Sequence, residues 1–192
     1  MRWTHLKPAD GRRMPWRNGG GTTLELAVEP PGATLETGFR WRLSSAEVGV
    51  SGPFSPFPGL DRWLLLLEGG GFEVDFGPHG RVALTEPLVP VRFSGDWSAA
   101  ATLVDGPCLD FNLMVDPRIG PSHLEAFHLA ASRTLALSAA TTLLFVARGT
   151  LYLPGFDLHL GQRHTLQVEG STDSLHLVPG FGGASVVVAG IG

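Results

Sequence analysis

The chain has 192 residues, 43% of them apolar and 17% charged, with a mean hydropathy of +0.14; that is enough apolar surface for a sizeable core and too little charge to stay unfolded, so disorder is excluded. A single cysteine, Cys108, excludes an internal disulfide framework or a thiolate zinc cage and fits a reducing, cytoplasmic compartment. Fourteen basic residues face eighteen acidic ones without a Lys/Arg cluster, which excludes a surface that tracks nucleic acid.

Residues 1–8 lack the apolar centre of a signal peptide, and no wholly apolar run is longer than that from Trp63 to Leu67, too short to cross a bilayer, so no membrane partner is expected. Asn18-Gly-Gly-Gly-Thr-Thr23 reads as a tight glycine turn, because it lacks the lysine of a phosphate loop and runs into a strand. From there the apolar residues recur with period two between 26 glycines and 15 prolines, as half-buried strands do. Leu24, Leu26 and Val28 form one such face; Phe39, Trp41 and Leu43 another; Phe72, Val74 and Phe76 a third; Leu109, Phe111, Leu113 and Val115 a fourth. The segment Pro121 to Ala131 is predicted as a short helix. Later strands are predicted at Leu143 to Val146, Leu151 to Leu153, Leu158 to Leu160, Leu166 to Val168, Leu175 to Val178 and Ala184 to Val188.

Leu64 to Val74 lies over Leu143 to Leu153 without a gap, each reading as strand, glycine turn, strand, at a similar place in each half. This is what a duplicated small β-barrel or jelly roll requires. The Pro-rich stretch Asp116 to Pro121 is the natural junction, giving domains at 1–116 and 117–192 between which strands could be exchanged.

Jelly-roll barrels of the cupin type commonly hold a metal through an H-x-H strand, a glutamate and a later histidine. The seven histidines contain no H-x-H pair, and the positions at the corresponding spacing before Gly70 and Gly149 hold no ligand, so neither a metal nor another cofactor is expected. His164 shares a face with Leu166 and Val168 and is read as a buried, hydrogen-bonded histidine, whereas His159 and His176 alternate with core leucines and should be solvated. Cys108 has no nearby histidine, and Ser51 lacks the second glycine of a nucleophile elbow, so no catalytic residue is assigned. Arg62 stands out, because it lies between Leu60 and Trp63-Leu-Leu-Leu-Leu67, where a guanidinium is desolvated and needs an anion. Glu47, Asp61 and Asp110 are internal candidates; a ligand carboxylate is the alternative. Arg42 shares a face with Ser44, and Asp110 with Asn112.

Pro15-Trp-Arg-Asn-Gly-Gly-Gly-Thr-Thr23 with Glu25, Trp41-Arg-Leu-Ser44, Gly52-Pro-Phe-Ser-Pro-Phe-Pro-Gly-Leu-Asp-Arg62, Leu67-Glu-Gly-Gly-Gly71, Phe93-Ser-Gly-Asp96 and Asp110-Phe-Asn-Leu-Met114, in this order, resemble the HutD/Ves family over residues 10–115. The resemblance implies an all-β bicupin fold, two fused jelly-roll barrels without the metal ligands. It also implies an association with bacterial histidine utilisation, in which the family is proposed to bind or sense a small carboxylate such as urocanate or formylglutamate in a regulatory role. Its motif residues map a small pocket onto Asn18, Thr22, Glu25, Arg42, Ser44, Ser55, Arg62, Asp110 and Asn112. In that pocket Arg62 is expected to anchor a carboxylate, with Ser44, Asn18 and Asn112 fixing the remaining polar atoms. Two alternatives remain open at this point. One is a metal-free cupin isomerase or hydrolase using Glu47, Asp110 or His164 as proton carrier; the other is an interaction module whose apolar barrel face closes a homodimer.

Overall fold

The computed structural model describes residues 2–170 and 174–192. It is an all-β chain that divides into two compact units, one made of residues 11–119 and the other of residues up to Asp10 together with Gly120–Gly192. The chain opens on β1 (Arg2–Leu6). Residues 11–119 supply β2 (Arg12–Pro15), β3 (Gly21–Glu29), β4 (Trp41–Val48), β5 (Gly52–Pro53), β6 (Asp61–Gly69), β7 (Phe72–Asp75), β8 (Arg81–Leu84), β9 (Val91–Ser94), β10 (Ala100–Leu103) and β11 (Cys108–Val115). The remainder supplies β12 (Ser122–Leu129), β13 (Arg133–Ala136), β14 (Thr141–Leu153), β15 (Leu158–Leu160), β16 (Thr165–Glu169) and β17 (Ser174–Ile191).

In the unit of residues 11–119, six strands pair in the order β2-β3-β4-β11-β6-β9, and four in the order β5-β10-β7-β8. All pairs are antiparallel, so side chains two apart share a face, and the registers place them in rows. One row crosses the larger sheet as Thr23, Ala46, Asp110 and Leu66; the next as Glu25, Ser44, Asn112, Leu64 and Val91; the third as Val28, Arg42, Met114, Arg62 and Phe93. Val48, Leu64 and Leu66 from this sheet pack with Phe72, Val74, Leu84 and Ala101 of the smaller one. That is a sheet-on-sheet core. One inner face is therefore apolar where it meets the second sheet and polar where it does not. The polar part is the site described below.

In the other unit the order is β1-β16-β14-β17-β12, with β13 pairing β17 and β15 pairing β14. Its core is aliphatic, built from Leu144, Val146, Leu151, Leu160, Leu166, Leu177 and Val186 among others. Three expectations change here. The segment predicted as a helix is β12, because its eight residues pair in full with β17, from Ser122 opposite Ile191 to Leu129 opposite Ala184, and bury Leu124 and Leu129; sheet pairing outweighs a weak local helix preference. The Gly149 turn is a bulge inside the unbroken thirteen-residue β14. Gly149 has φ +80°, and a Cβ there would lie 2.4 Å from the Gly183 carbonyl oxygen, so the chain needs glycine to bend without reversing. Likewise the two strands expected at Leu175 to Val178 and Ala184 to Val188 are parts of the single eighteen-residue β17.

Candidate functional site

A cavity of about 580 Å³ opens on the polar end of the larger sheet in the unit of residues 11–119. Its floor is the inner face of β4, β11 and β6, which presents Arg42 and Ser44, then Asp110, Asn112 and Met114, then Arg62. Its walls are two irregular segments, the glycine turn after β2 and the loop between β5 and β6.

The glycine turn is closed by Trp16 N–H donating to the Gly21 carbonyl, by Gly19 N–H donating to the Trp16 carbonyl and by Gly20 N–H donating to Asn18 Oδ1. Gly21 is required, because a Cβ would meet the Glu47 carbonyl oxygen at 2.4 Å and the Trp16 ring at 3.0 Å. Trp16 is thereby laid against the sheet, where its indole N–H donates to Thr23 Oγ1 at 2.8 Å. The second wall carries Phe54, Ser55 and Phe57 and is pinned by the turn after β9: Phe57 N–H donates to the Gly95 carbonyl, Gly95 N–H to the Leu60 carbonyl, and Gly59 N–H to Asp96 Oδ1. The Phe93-Ser-Gly-Asp96 motif is thus the brace of the aromatic loop.

Arg62 is 4% exposed, and among the described residues no carboxylate lies within ion-pair distance of it. Its guanidinium sits 4.9 Å from the ring centres of Phe57 and Phe93 and 5.7 Å from that of Phe54, so the counter-charge is supplied by π faces. Its one hydrogen bond is a long 3.5 Å contact from Nη1 to the Ser55 carbonyl, and Nε is buried without a partner. Burial lowers its pKa to about 10 against the opposing pull of Asp110, so it remains a cation at neutral pH. Of the internal anions expected for it, Asp61 pairs with Arg92, Glu47 is exposed on the other face, and Asp110 stays outside ion-pair distance.

Asp110 is the buried acid of the site, 3% exposed. Its Oδ1 accepts the Ala46 N–H at 3.0 Å, Ser45 Oγ donates to its backbone carbonyl, and its Oδ2 has no hydrogen-bond partner among the described residues. Burial pushes its carboxyl up to about 7, opposed by the Ala46 hydrogen bond and by the Arg62 charge. Arg42 differs from Arg62 in being paired: its Nε donates to Glu25 Oε2 at 2.6 Å, and Arg12 reaches Glu25 Oε1 at 3.0 Å.

Seven of the nine residues expected at the pocket line this cavity: Asn18, Arg42, Ser44, Ser55, Arg62, Asp110 and Asn112. Thr22 does not, because it sits one residue out of phase, opposite Glu47. Glu25 does not either; it is the strut that holds Arg42. Asn18 lines the mouth, with its Oδ1 already engaged by Gly20. His164 is only half-buried and lies in the other unit, in a turn, with its Nδ1 2.9 Å from His5 Nε2. The aromatic wall was not singled out from the sequence, although Trp16, Phe54 and Phe57 lie inside the two motifs that carry the resemblance. The usable signal was an arginine in an apolar run with Phe54 and Phe57 close before it in the chain.

A model of the HutD family matches residues 8–182 of the chain. An uncharacterised 21.2 kDa protein of the hutC 3' region of Pseudomonas putida is 36% identical over 180 residues, 90% of each chain. Protein Ves of Escherichia fergusonii is 40% identical over 109 residues, 55% of each. Among solved structures, a conserved protein of unknown function from Pseudomonas aeruginosa PAO1 superimposes with a TM-score of 0.89 at 34% identity, over 100% of this chain and 99% of that one. HutD from Pseudomonas fluorescens SBW25 gives 0.80 at 31%, over 100% of both chains. Bacterial pirin YhhW from Escherichia coli, at 9% identity and a TM-score of 0.66 over 98% of each chain, shares the cupin-like fold alone. Among the described residues no helix is long and apolar enough to cross a membrane.

Proposed function

We propose, from the premise that this chain belongs to the HutD family, that it is a metal-independent binding protein for a small carboxylate metabolite, an intermediate of histidine utilisation such as urocanate or formylglutamate. Its role is regulatory, and it acts in the cytoplasm. The two units are read as two fused rolls of the cupin type, of which the one formed by residues 11–119 carries the ligand.

A single observation carries this reading: Arg62 is a buried cation on the floor of a cavity and, among the described residues, has no carboxylate of its own. A desolvated guanidinium is costly to hold, and a bidentate carboxylate is its best complement. Three phenyl rings keep it in place and charged in the empty site, and the ligand supplies the missing anion. Ser44, Asn112 and the mouth residues Asn18 and Ser55 meet the remaining polar atoms. Trp16 and Phe57 cover the carbon skeleton.

The test is calorimetric titration of the protein with urocanate, formylglutamate, glutarate and glutamate. At least one should bind, and Arg62→Ala should lose about 2–5 kcal/mol of that affinity while the fold survives by circular dichroism. Undiminished affinity in a folded Arg62→Ala protein removes the anchor role.

A further inference from the structure

Asp110 is the anomaly in a pocket built for an anion. Arg62, Arg42, Asn112 and Ser44 all offer hydrogen-bond donors to the cavity, yet between them on the same face stands a carboxyl group. It has one oxygen committed to the Ala46 N–H and the other, Oδ2, without a hydrogen-bond partner among the described residues. If that group were ionised, an arriving carboxylate would meet a second negative charge at close range in a partly enclosed cavity. If it carries a proton, it becomes one more donor.

The groups around it leave few other places for a proton. From β4 it faces the Ala46 N–H, Ser44 and Arg42, the last tied to Glu25 of β3; from β6 it faces Arg62; along β11 its neighbours are Asn112 and the Cys108 thiol; Arg17 stands at the mouth. Burial holds that thiol protonated, up to about 11. Among the described residues lining the cavity there is no histidine and no other carboxyl.

We propose that Asp110 couples ligand binding to proton uptake: above neutral pH a carboxylate enters together with one proton from solvent, and that proton resides on Asp110 Oδ2 and is shared with a ligand oxygen. This rests on the carboxylate reading above and adds a specificity element to it. A ligand must bring an anionic oxygen to both Arg62 and Asp110, so an anion unable to accept a hydrogen bond at the second position is discriminated against. The burial that raises the Asp110 carboxyl to about 7 places the onset of this coupling in the physiological range.

The experiment is isothermal titration of the full chain with formylglutamate and with glutarate, whose carboxyl groups stay ionised above pH 6, in two buffers of different ionisation enthalpy. Proton uptake near zero at pH 6 and near one per ligand at pH 8.5 is expected, with affinity falling about tenfold per pH unit above about 7. Asp110→Asn, which keeps a donor at the same place, should bind without that pH dependence. Should the variant fail to fold, the wild-type proton count decides alone. Binding with constant affinity and no uptake from pH 6 to 8.5 overturns the coupling and leaves the carboxylate reading standing. No binding of either acid at any pH overturns both.

Discussion

Replacing Asp110 by asparagine should stabilise the unliganded protein, and by an amount that depends on pH in a defined way. The carboxyl has an ordinary value of 3.8 and is pushed up to about 7 in the fold by burial. Folded protein therefore binds a proton at Asp110 across a window in which the unfolded chain has released it. Stability falls as pH rises through that window and levels off above about 7. The gap is about three pH units at about 1.4 kcal/mol each, so the wild type gives up about 4 kcal/mol at pH 8 relative to a neutral isostere. Asparagine is that isostere, and its Oδ1 can keep the Ala46 N–H. The gain from Asp110→Asn should be about 1 kcal/mol at pH 4.5 and about 4 kcal/mol at pH 8. Urea unfolding followed by tryptophan fluorescence at the two pH values measures both. A gain that is equal at the two pH values, or larger at the acid one, would refute the argument that Asp110 is a desolvated carboxyl.

Other expectations follow from the same geometry. Glu25→Gln leaves Arg42 without its buried partner and should lower stability by about 3 kcal/mol in a thermal melt, whereas Arg12→Gln, on the half-exposed side of the same carboxylate, should cost at most about 1. The Cys108 thiol, pushed up to about 11 by burial, should ignore Ellman's reagent at pH 8 in folded protein and react stoichiometrically in urea. Burial, and for His5 also the facing His164, hold both imidazoles of that pair below the ordinary 6.5. The unfolded form then takes up protons first, so the docking of β1 is complete above 6.5 and weakens as pH falls below it; amide exchange in residues 2–6 should accelerate at pH 5. Phe111→Ala, in a fully buried strand of the larger sheet, should cost about 3–5 kcal/mol in urea.

Most of the site was legible because strand periodicity is a short-range property. Arg42 with Ser44, and Asp110 with Asn112, could be placed on shared faces by counting in twos, and Arg62 announced itself by standing alone in an apolar run. Thr22, expected from the family motif and not from this count, misses the pocket because the glycine turn sets the phase of β3 and Thr23 is the residue that faces inward. The bulge between Glu25 and Ala27 was equally invisible, and it is the place where a residue predicted to line the pocket becomes a partner of Arg42 instead. The cation-π enclosure required knowing that Phe93 lies opposite Arg62 across β6 and β9, a register no local pattern encodes. The lost helix at β12 and the merged halves of β14 and β17 share one cause: strand partners far along the chain decided the local conformation.

The pairing of β1 with β16 means that one compact unit is stitched from stretches on either side of residues 11–119. During synthesis β1 must wait, unpaired, until more than a hundred and fifty later residues have emerged, whereas residues 11–119 hold all their strand partners among themselves. The unit of residues 11–119 can therefore mature first, and the other closes by a slow, non-local step. Severing the chain at the Pro-rich junction would not yield two tidy halves: a fragment starting at Gly120 would expose the bare edge of β16 and invite intermolecular strand addition, with the missing strand of a neighbour as its natural cure.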